Sequence, residues 1–376
     1  MVLLEDVIFK PITGEWGKKI ENEDEGVKVL RTTNFTNLGV IDLSDVVRRN
    51  ITQKKIEQKK LLKGDIIIEK SGGGPTQPVG RVVFFNEEGT YLCNNFTSIL
   101  RPKKNKIFPK YLHYLLFANY NFGITNYFQN KTTGIINLQL PRYVNKLEIP
   151  LPPLKTQQHI ASILDDAAAL RDKTKQLLEE YDNLAQSIFL DMFGDPITNS
   201  KNLTEVLFNK VMILKRGYDL PVRKRVEGPI PILASNGILG YHNEFKVEGP
   251  GVVTGRSGTL GKVHYVESNY WPLNTALYVQ DFKNNNPIYL LYLLKNYRVE
   301  RFARGAGVPT LNRNLVHAEK IIKVSKSMQN QFAEKIALIE QQKDLAKQEL
   351  KESEDLFNCL LQKAFKGELI SESEVV

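Results

Sequence analysis

Two stretches of the chain place a cation, a hydroxyl and a glycine directly after an apolar strand. They are Ile66-Ile67-Ile68-Glu69-Lys70-Ser71-Gly72 and Val252-Val253-Thr254-Gly255-Arg256-Ser257-Gly258. A glycine at a strand end lets backbone N–H groups approach a phosphate or base edge, and the cation beside it supplies the charge. Arginine suits bidentate guanine readout, and lysine suits phosphate. This is the chemistry of binding a polyanion. Lys70, Ser71, Gly72, Arg256, Ser257 and Gly258 are therefore the leading contact candidates. Arg31, Asn34, Arg81, Lys103, Lys104 and Lys131 join them from the first half. Arg216, Tyr218, Arg223, Lys224, Arg225, Asn236, Arg304 and Arg313 join them from the second. Among these, asparagine can read adenine and tyrosine can pack or stack.

Residues that could carry turnover do not assemble. The sequence has no Gly-x-x-x-x-Gly-Lys-Ser/Thr phosphate loop. Gly72-Gly73-Gly74 and Gly305-Ala306-Gly307 lack dinucleotide-fingerprint spacing and read as turn glycines. No Asn/Asp-Pro-Pro-Tyr/Phe segment offers to grip an exocyclic base amine. His113, His159, His242, His264 and His317 are scattered, without a pair at metal-ligand spacing, so no metal site is expected. Asp65 and Glu69-Lys70 suggest a nuclease carboxylate cluster, but the second stretch has Gly251, Gly255 and Arg256 there, with no acid for Mg²⁺. The sequence reads as non-catalytic.

The elements that hold these residues come in duplicate. After the two strands, Gly80-Arg81-Val82 corresponds to Gly261-Lys262-Val263. Pro109-Lys110-Tyr111-Leu112-His113-Tyr114-Leu115-Leu116 then corresponds to Pro287-Ile288-Tyr289-Leu290-Leu291-Tyr292-Leu293-Leu294. Gly134-Ile135-Ile136-Asn137-Leu138 corresponds to Gly307-Val308-Pro309-Thr310-Leu311, and Gln158-His159-Ile160 to Gln331-Phe332-Ala333. The order is kept while the offset drifts from 186 to 173, as loop insertions and deletions produce. Charge follows the same rhythm. Lys/Arg exceed Asp/Glu by 22 to 15 over residues 1–154 and by 18 to 10 over 195–325. They trail by 4 to 7 over 155–194 and by 7 to 10 over 326–376. The net +9 therefore sits on two bodies joined by slightly acidic elements, which suits two separate polyanion-facing domains.

Those joining elements read as long helices. An a/d seam runs through Ile160, Ile163, Ala167, Leu170, Thr174, Leu177, Tyr181, Leu184 and Ile188, stopped by Gly194-Asp195-Pro196. A second runs through Phe332, Ile336, Ile339, Lys343, Ala346, Leu350, Ser353, Phe357, Leu360 and Ala364, closed by Gly367. Each needs a partner, and each is the nearest partner for the other. The expected architecture is α+β: two tandem α/β domains joined by two long helices in an antiparallel coiled coil, a pseudo-two-fold internal repeat. Its parts are a first globular domain at 1–154, a central helix at 155–194, a second domain at 195–325, and a C-terminal helix and tail at 326–376. About 35 helical residues would give a rod of roughly 50 Å, holding the domains on the order of one to one and a half duplex turns apart. No apolar run approaches a membrane span, and the start Met1-Val2-Leu3-Leu4-Glu5-Asp6 lacks a signal-peptide pattern. Cys93 and Cys359 read as two buried thiols in a reducing compartment. A cytoplasmic protein without a membrane partner is expected.

Taken together, these residues resemble the specificity subunit (HsdS family) of type I restriction–modification systems. The resemblance rests on the Lys70 and Arg256 strand ends and on Ile149-Pro150-Leu151-Pro152-Pro153-Leu154-Lys155-Thr156-Gln157-Gln158-His159-Ile160. It also rests on the helix end Gln186-Ser187-Ile188-Phe189-Leu190-Asp191-Met192-Phe193-Gly194-Asp195. The resemblance implies that two target-recognition domains each read half of a bipartite, asymmetric double-stranded DNA site. It implies that the helices set the spacer and dock two modification (methyltransferase) subunits. S-adenosylmethionine, ATP and Mg²⁺ would then belong to modification and restriction/translocase partners, with no cofactor on this chain, in a host-defence role. One departure stands out. The second helix start, Ile321-Ile322-Lys323-Val324-Ser325-Lys326-Ser327-Met328-Gln329-Asn330, has no proline, so its linker is expected to differ in stiffness from the first.

Overall fold

The computed structural model describes residues 1–22, 25–74, 76–130, 135–305 and 309–369. They divide into two compact units: residues 1–173 with those from Leu350 onward, and residues 174–349. Both long helices, Leu154–Phe193 and Lys326–Lys366, are cut by that division.

In the first unit, strand Ile66–Glu69 lies at the centre of an antiparallel four-stranded sheet ordered Ile12–Thr13, Thr97–Leu100, Ile66–Glu69, Val82–Phe84. Its run of three isoleucines is fully buried because both faces of the sheet are covered. Alternate side chains take opposite faces. Ile67, Val83 and Ile99 pack with Leu30, Phe85 and Cys93, while Ile66, Ile68 and Leu100 pack with helix Pro109–Asn121. A second sheet, ordered Val47–Arg49, Val27–Leu30, Tyr91–Cys93, closes the first of these cores; its last pair is parallel.

The second unit repeats this plan. Its four-stranded sheet is ordered Ile213–Arg216, Ala276–Asp281, Gly251–Gly255, Val263–Val266. Its three-stranded sheet is ordered Gly237–His242, Ile230–Ala234, Trp271–Pro272, again with a parallel last pair. Helix Pro287–Tyr297 stands where Pro109–Asn121 does, each opening on a proline whose missing N–H costs a helix start nothing.

The hydrogen bonds fix the correspondence residue by residue. Leu4 N–H donates to Leu147 O (2.9 Å), and Phe208 N–H to Glu319 O (2.8 Å). Gln157 accepts from the Phe108 N–H with Oε1 (2.7 Å) and donates to Pro152 O with Nε2 (2.7 Å). Gln329 accepts from the Asn286 N–H (2.8 Å) and donates to Val324 O (2.9 Å). Phe108 and Asn286 are the N-caps of the two domain helices. Gln157 therefore matches Gln329 and Ile160 matches Phe332, which corrects the sequence alignment of Gln158 with Gln331 by one residue. The missing prolines leave this clamp unchanged. Pro152 and Val324 offer the same carbonyl five residues before the glutamine, so both long helices start on the same clamp.

The long helices span Leu154–Phe193 and Lys326–Lys366. In the first unit Ile160, Ala161, Leu164 and Ala167 share a core with Phe357, Leu361 and Ala364. In the second, Ala185, Phe189 and Phe193 share one with Phe332, Ile336 and Ile339, and Asp182 pairs with Lys343 at 2.8 Å. Within each unit, rising numbers on one helix meet falling numbers on the other, so the pairing is antiparallel. On the C-terminal helix every expected seam position is buried or partly buried, with Lys343, Leu350 and Leu360 partly so. On the central helix the seam is corrected. Leu170 and Leu184 are 51% and 46% exposed, and Leu164, Arg171 and Ala185 face inward instead. Ile163, Leu177, Tyr181 and Ile188 lie half-buried beside that stripe. Arg171 holds its slot with its aliphatic stem inside and its guanidinium 5.0 Å from the Phe357 ring centroid. The thiols are also corrected: Cys93 is buried and Cys359 is exposed.

Candidate nucleic-acid interface

The two cationic strand ends are built alike. In the first unit the Lys70 and Ser71 N–H groups both donate to Phe96 O (2.9 and 3.2 Å), and Leu138 N–H donates to Lys70 O (2.8 Å). In the second, Arg256 and Ser257 donate to Thr275 O (2.8 and 3.1 Å), and Leu311 donates to Arg256 O (2.8 Å). The glycine that follows has positive φ in both, +97° at Gly72 and +84° at Gly258, a region that favours residues without a Cβ. Each loop is thus pinned by its backbone while its side chains remain at the rim. A second strand row lies alongside. Ser71 pairs with Asn137 and Asn137 with Asn130; Ser257 bridges Thr310 and Thr310 pairs with Arg304. Arg304 is exposed in this row. Lys131, one residue past Asn130, lies outside the described residues.

The side chains at the two rims differ. Lys70 Nζ donates to Thr13 Oγ1 (3.2 Å), and burial holds its ammonium below the usual lysine range. Nearby, Lys59 and Lys55 pair with the two carboxylate oxygens of Glu15 (2.9 and 3.0 Å), which holds Glu15 below the usual carboxylate range. Three lysines against one acid leave this rim cationic. Lys55 and Lys59, on helix Gln53–Lys59, are absent from the sequence candidates; only their contacts with Glu15 across 40 and 44 residues of chain bring them in. In the second unit Arg256 Nη1 donates to Asn274 O (3.3 Å), Asn274 Nδ2 donates to Asp219, and Arg216 pairs with Asp219 (3.2 Å). Tyr218 stacks against Tyr278 with their hydroxyls 3.2 Å apart. Arg223 and Lys224 are exposed on the turn that follows, and Arg225 is held to Leu220 O. Asn236 is exposed beside Ser235, whose Oγ approaches Gly258. Arg313 is half-buried at the start of helix Arg313–His317.

Several sequence candidates are corrected. Arg81 is 8% exposed; it pairs with Glu69 (2.9 Å) and donates to the carbonyls of Phe35 and Thr32, tying a loop to the sheet. Asn34 is 3% exposed, with its amide spent on Asp42 O, Asp45 O and the Arg31 N–H. Arg31 pairs with Asp45 at 2.7 Å in the same loop. Arg81 and Asn34 are buried within the fold, while Arg31 is half-buried and tied to Asp45. Lys103 and Lys104 sit at the far end of the sheet from Lys70, near Val7 and Lys63, with Nζ on backbone carbonyls. Asp65 and Glu69 are both engaged, Asp65 with Arg101 (2.8 Å) and Glu69 with Arg81. Among the described residues no group of three His, Cys, Asp or Glu is placed to hold a metal ion, and no helix is long and apolar enough to cross a membrane.

Two tandem copies of one α/β domain, each with a pinned cationic loop and each packed on an antiparallel helix pair, define a class of duplicated two-domain protein. Residues 1–180 and 201–354 match the model of the family described as Type I restriction modification DNA specificity domain, and the chain belongs to that family. It is 27% identical over 192 residues to the Type I restriction enzyme EcoKI specificity subunit of Escherichia coli (strain K12), covering 49% of this chain and 38% of that protein. The chain thus spans well under two thirds of the curated relatives it matches. The fold is that of the type I restriction–modification system S subunit of M. genitalium, at TM-score 0.57 and 18% identity, covering 97% of this chain and 95% of that one. A chain from a study of type I R-M complex assembly and conformational transition is similar at TM-score 0.53 and 14% identity, with 98% and 97% covered.

Proposed function

We propose that this chain is the DNA-reading subunit of a type I restriction–modification complex. Each domain contacts one half of a bipartite duplex site through its cationic loop, at Lys70-Ser71-Gly72 and Arg256-Ser257-Gly258. The long helices set the spacer and dock two modification subunits. Chemistry is left to partners: S-adenosylmethionine on the modification subunits, ATP and Mg²⁺ on restriction/translocase subunits, and no cofactor on this chain. The observation that carries this reading is the repeated loop, with the same backbone bonds and a cation in both copies but different neighbours around it. Different neighbours mean different half-sites.

The test is to map the adenines methylated by the complex reconstituted with its modification subunits. Two unlike half-sites at a fixed spacing are expected; one continuous palindrome sinks the proposal. Arg256→Ala should weaken specific binding about 10- to 100-fold, the loss of one bidentate base contact. Lys70→Ala should weaken it less and lower the salt slope by about one. Both variants should still assemble with modification subunits on gel filtration.

A further inference from the structure

The two units differ most between the first two strands of the three-stranded sheet. In the first unit, residues 31–46 intervene between Val27–Leu30 and Val47–Arg49. In the second, Ser235 and Asn236 alone separate Ile230–Ala234 from Gly237–His242. The longer loop has a place to lie. Residues 36–40 form a turn, with Thr36 N–H on Val40 O (3.0 Å) and Gly39 N–H on Thr36 O (3.3 Å). Gly39 O accepts the Phe84 N–H (3.4 Å) on the edge strand Val82–Phe84. Gly39 has φ +74°, and a Cβ there would stand 2.9 Å from the Phe117 ring. The loop thus caps both the edge strand and the domain helix, and His113 lies buried beneath it.

The second unit has the same edge strand and helix without the cap. Register places Tyr265 at Phe84, Leu291 at His113 and Lys295 at Phe117. These residues line an open cleft of about 910 Å³, with Ile238, Val263 and Ile336 among its apolar walls. At its rim Ile238 is 58% exposed. His264 also lines the cleft, and its Nε2 has no hydrogen-bond partner among the described residues. Glu267, Glu340 and Asp344 face it against Lys295, a balance that disfavours a polyanion. An edge strand beside an apolar trough is the geometry that accepts an added extended segment.

We infer that this cleft docks an extended segment of the modification subunit, which lays a backbone carbonyl against the Tyr265 N–H as Gly39 does against Phe84. A small residue of that segment sits over Leu291 and its apolar neighbours cover Ile238. The inference rests on the proposed function, which supplies the modification subunit as partner. It makes the two domains unequal in docking: the first closes its trough with its own loop and the second leaves it for the partner.

Hydrogen–deuterium exchange on the full chain tests this, with and without its modification subunit and with assembly scored separately by gel filtration. Exchange at the Tyr265 amide should slow at least tenfold on assembly, while the Phe84 amide should be slow in both states. The variant Ile238→Asp, at an exposed position on the cleft, should lose that protection and bind the modification subunit at least tenfold more weakly. Assembly without protection overturns the docking site and leaves the proposed function standing; failure to assemble at all overturns both. Protection given by duplex DNA alone, or by raising the concentration of this chain alone, assigns the cleft to DNA or to a second copy and also overturns the inference.

Discussion

Laid side by side, the two units share their scaffold and differ at their rims. The sheet orders, the parallel pair, the glutamine clamps and the loop-pinning bonds coincide. What differs is whatever the scaffold does not require: Lys70 among lysines against Arg256 beside Asn274, and a 16-residue loop against a two-residue turn. Backbone hydrogen bonds set the geometry of a loop without naming its side chains, so a duplicated domain can diverge in what it reads while keeping where it reads. The first unit has also built an internal ion pair that has no equivalent among the described residues of the second. Arg81–Glu69 joins loop to sheet, and its counterparts are Lys262 and Gly255, the former exposed.

That contrast can be broken most sharply at Arg81. Arg81→Met should cost about 3–5 kcal/mol by leaving Glu69 charged and unpaired inside, whereas Lys262→Met should change stability by less than about 0.5 kcal/mol. Urea unfolding measures both, and equal effects would mean that the loop is not anchored as described. Next comes pH. Burial pushes His113 down to about 4 from an ordinary 6.5. The unfolded chain therefore takes the proton first, so stability is complete above pH 6.5 and falls as pH drops toward 4. The loss is on the order of 3 kcal/mol. His113→Leu, which installs the second unit's residue, should flatten the curve over that window relative to the parent. An unchanged slope would place the acid sensitivity elsewhere.

The glutamine clamps sharpen the shared side of the comparison. Gln157→Leu and Gln329→Leu should each cost about 2 kcal/mol, because each strands a backbone N–H at a helix start. Costs differing more than twofold would deny that the clamps are equivalent. Smallest is the turn. Gly39→Ala should cost about 1 kcal/mol through its positive φ and the Phe117 contact, while Gly240→Ala, whose Cβ meets nothing within 4 Å, should be near neutral. Thermal unfolding distinguishes them.

Much of this was legible in the residues themselves. The duplication, the Ile66–Glu69 strand, the proline-led helices and the C-terminal seam follow from patterns of period 2 and 3.6, which local burial imposes on the chain. The paired cation-Ser-Gly loops were legible for the same reason, since a strand end and a glycine are local signals. Other features needed the tertiary structure. Hydrophobicity alone put Leu170 and Leu184 in the central seam, but the packed helix turns them out and admits Arg171, because Phe357 offers that arginine a ring face from another part of the chain. A count of positive charge could not tell Arg81, consumed by Glu69, from Arg256, held at a rim, because only folding decides which cations meet a buried acid. Nor could the chain announce that residues 36–40 close a trough that stays open in the second unit. The sequence by itself determined that there are two like domains, each with a cation at a strand end and a long helix behind it. Tertiary structure decided which cations remain at a rim, which helix face is a seam, and which trough stays open, because those outcomes depend on contacts between residues far apart in the chain.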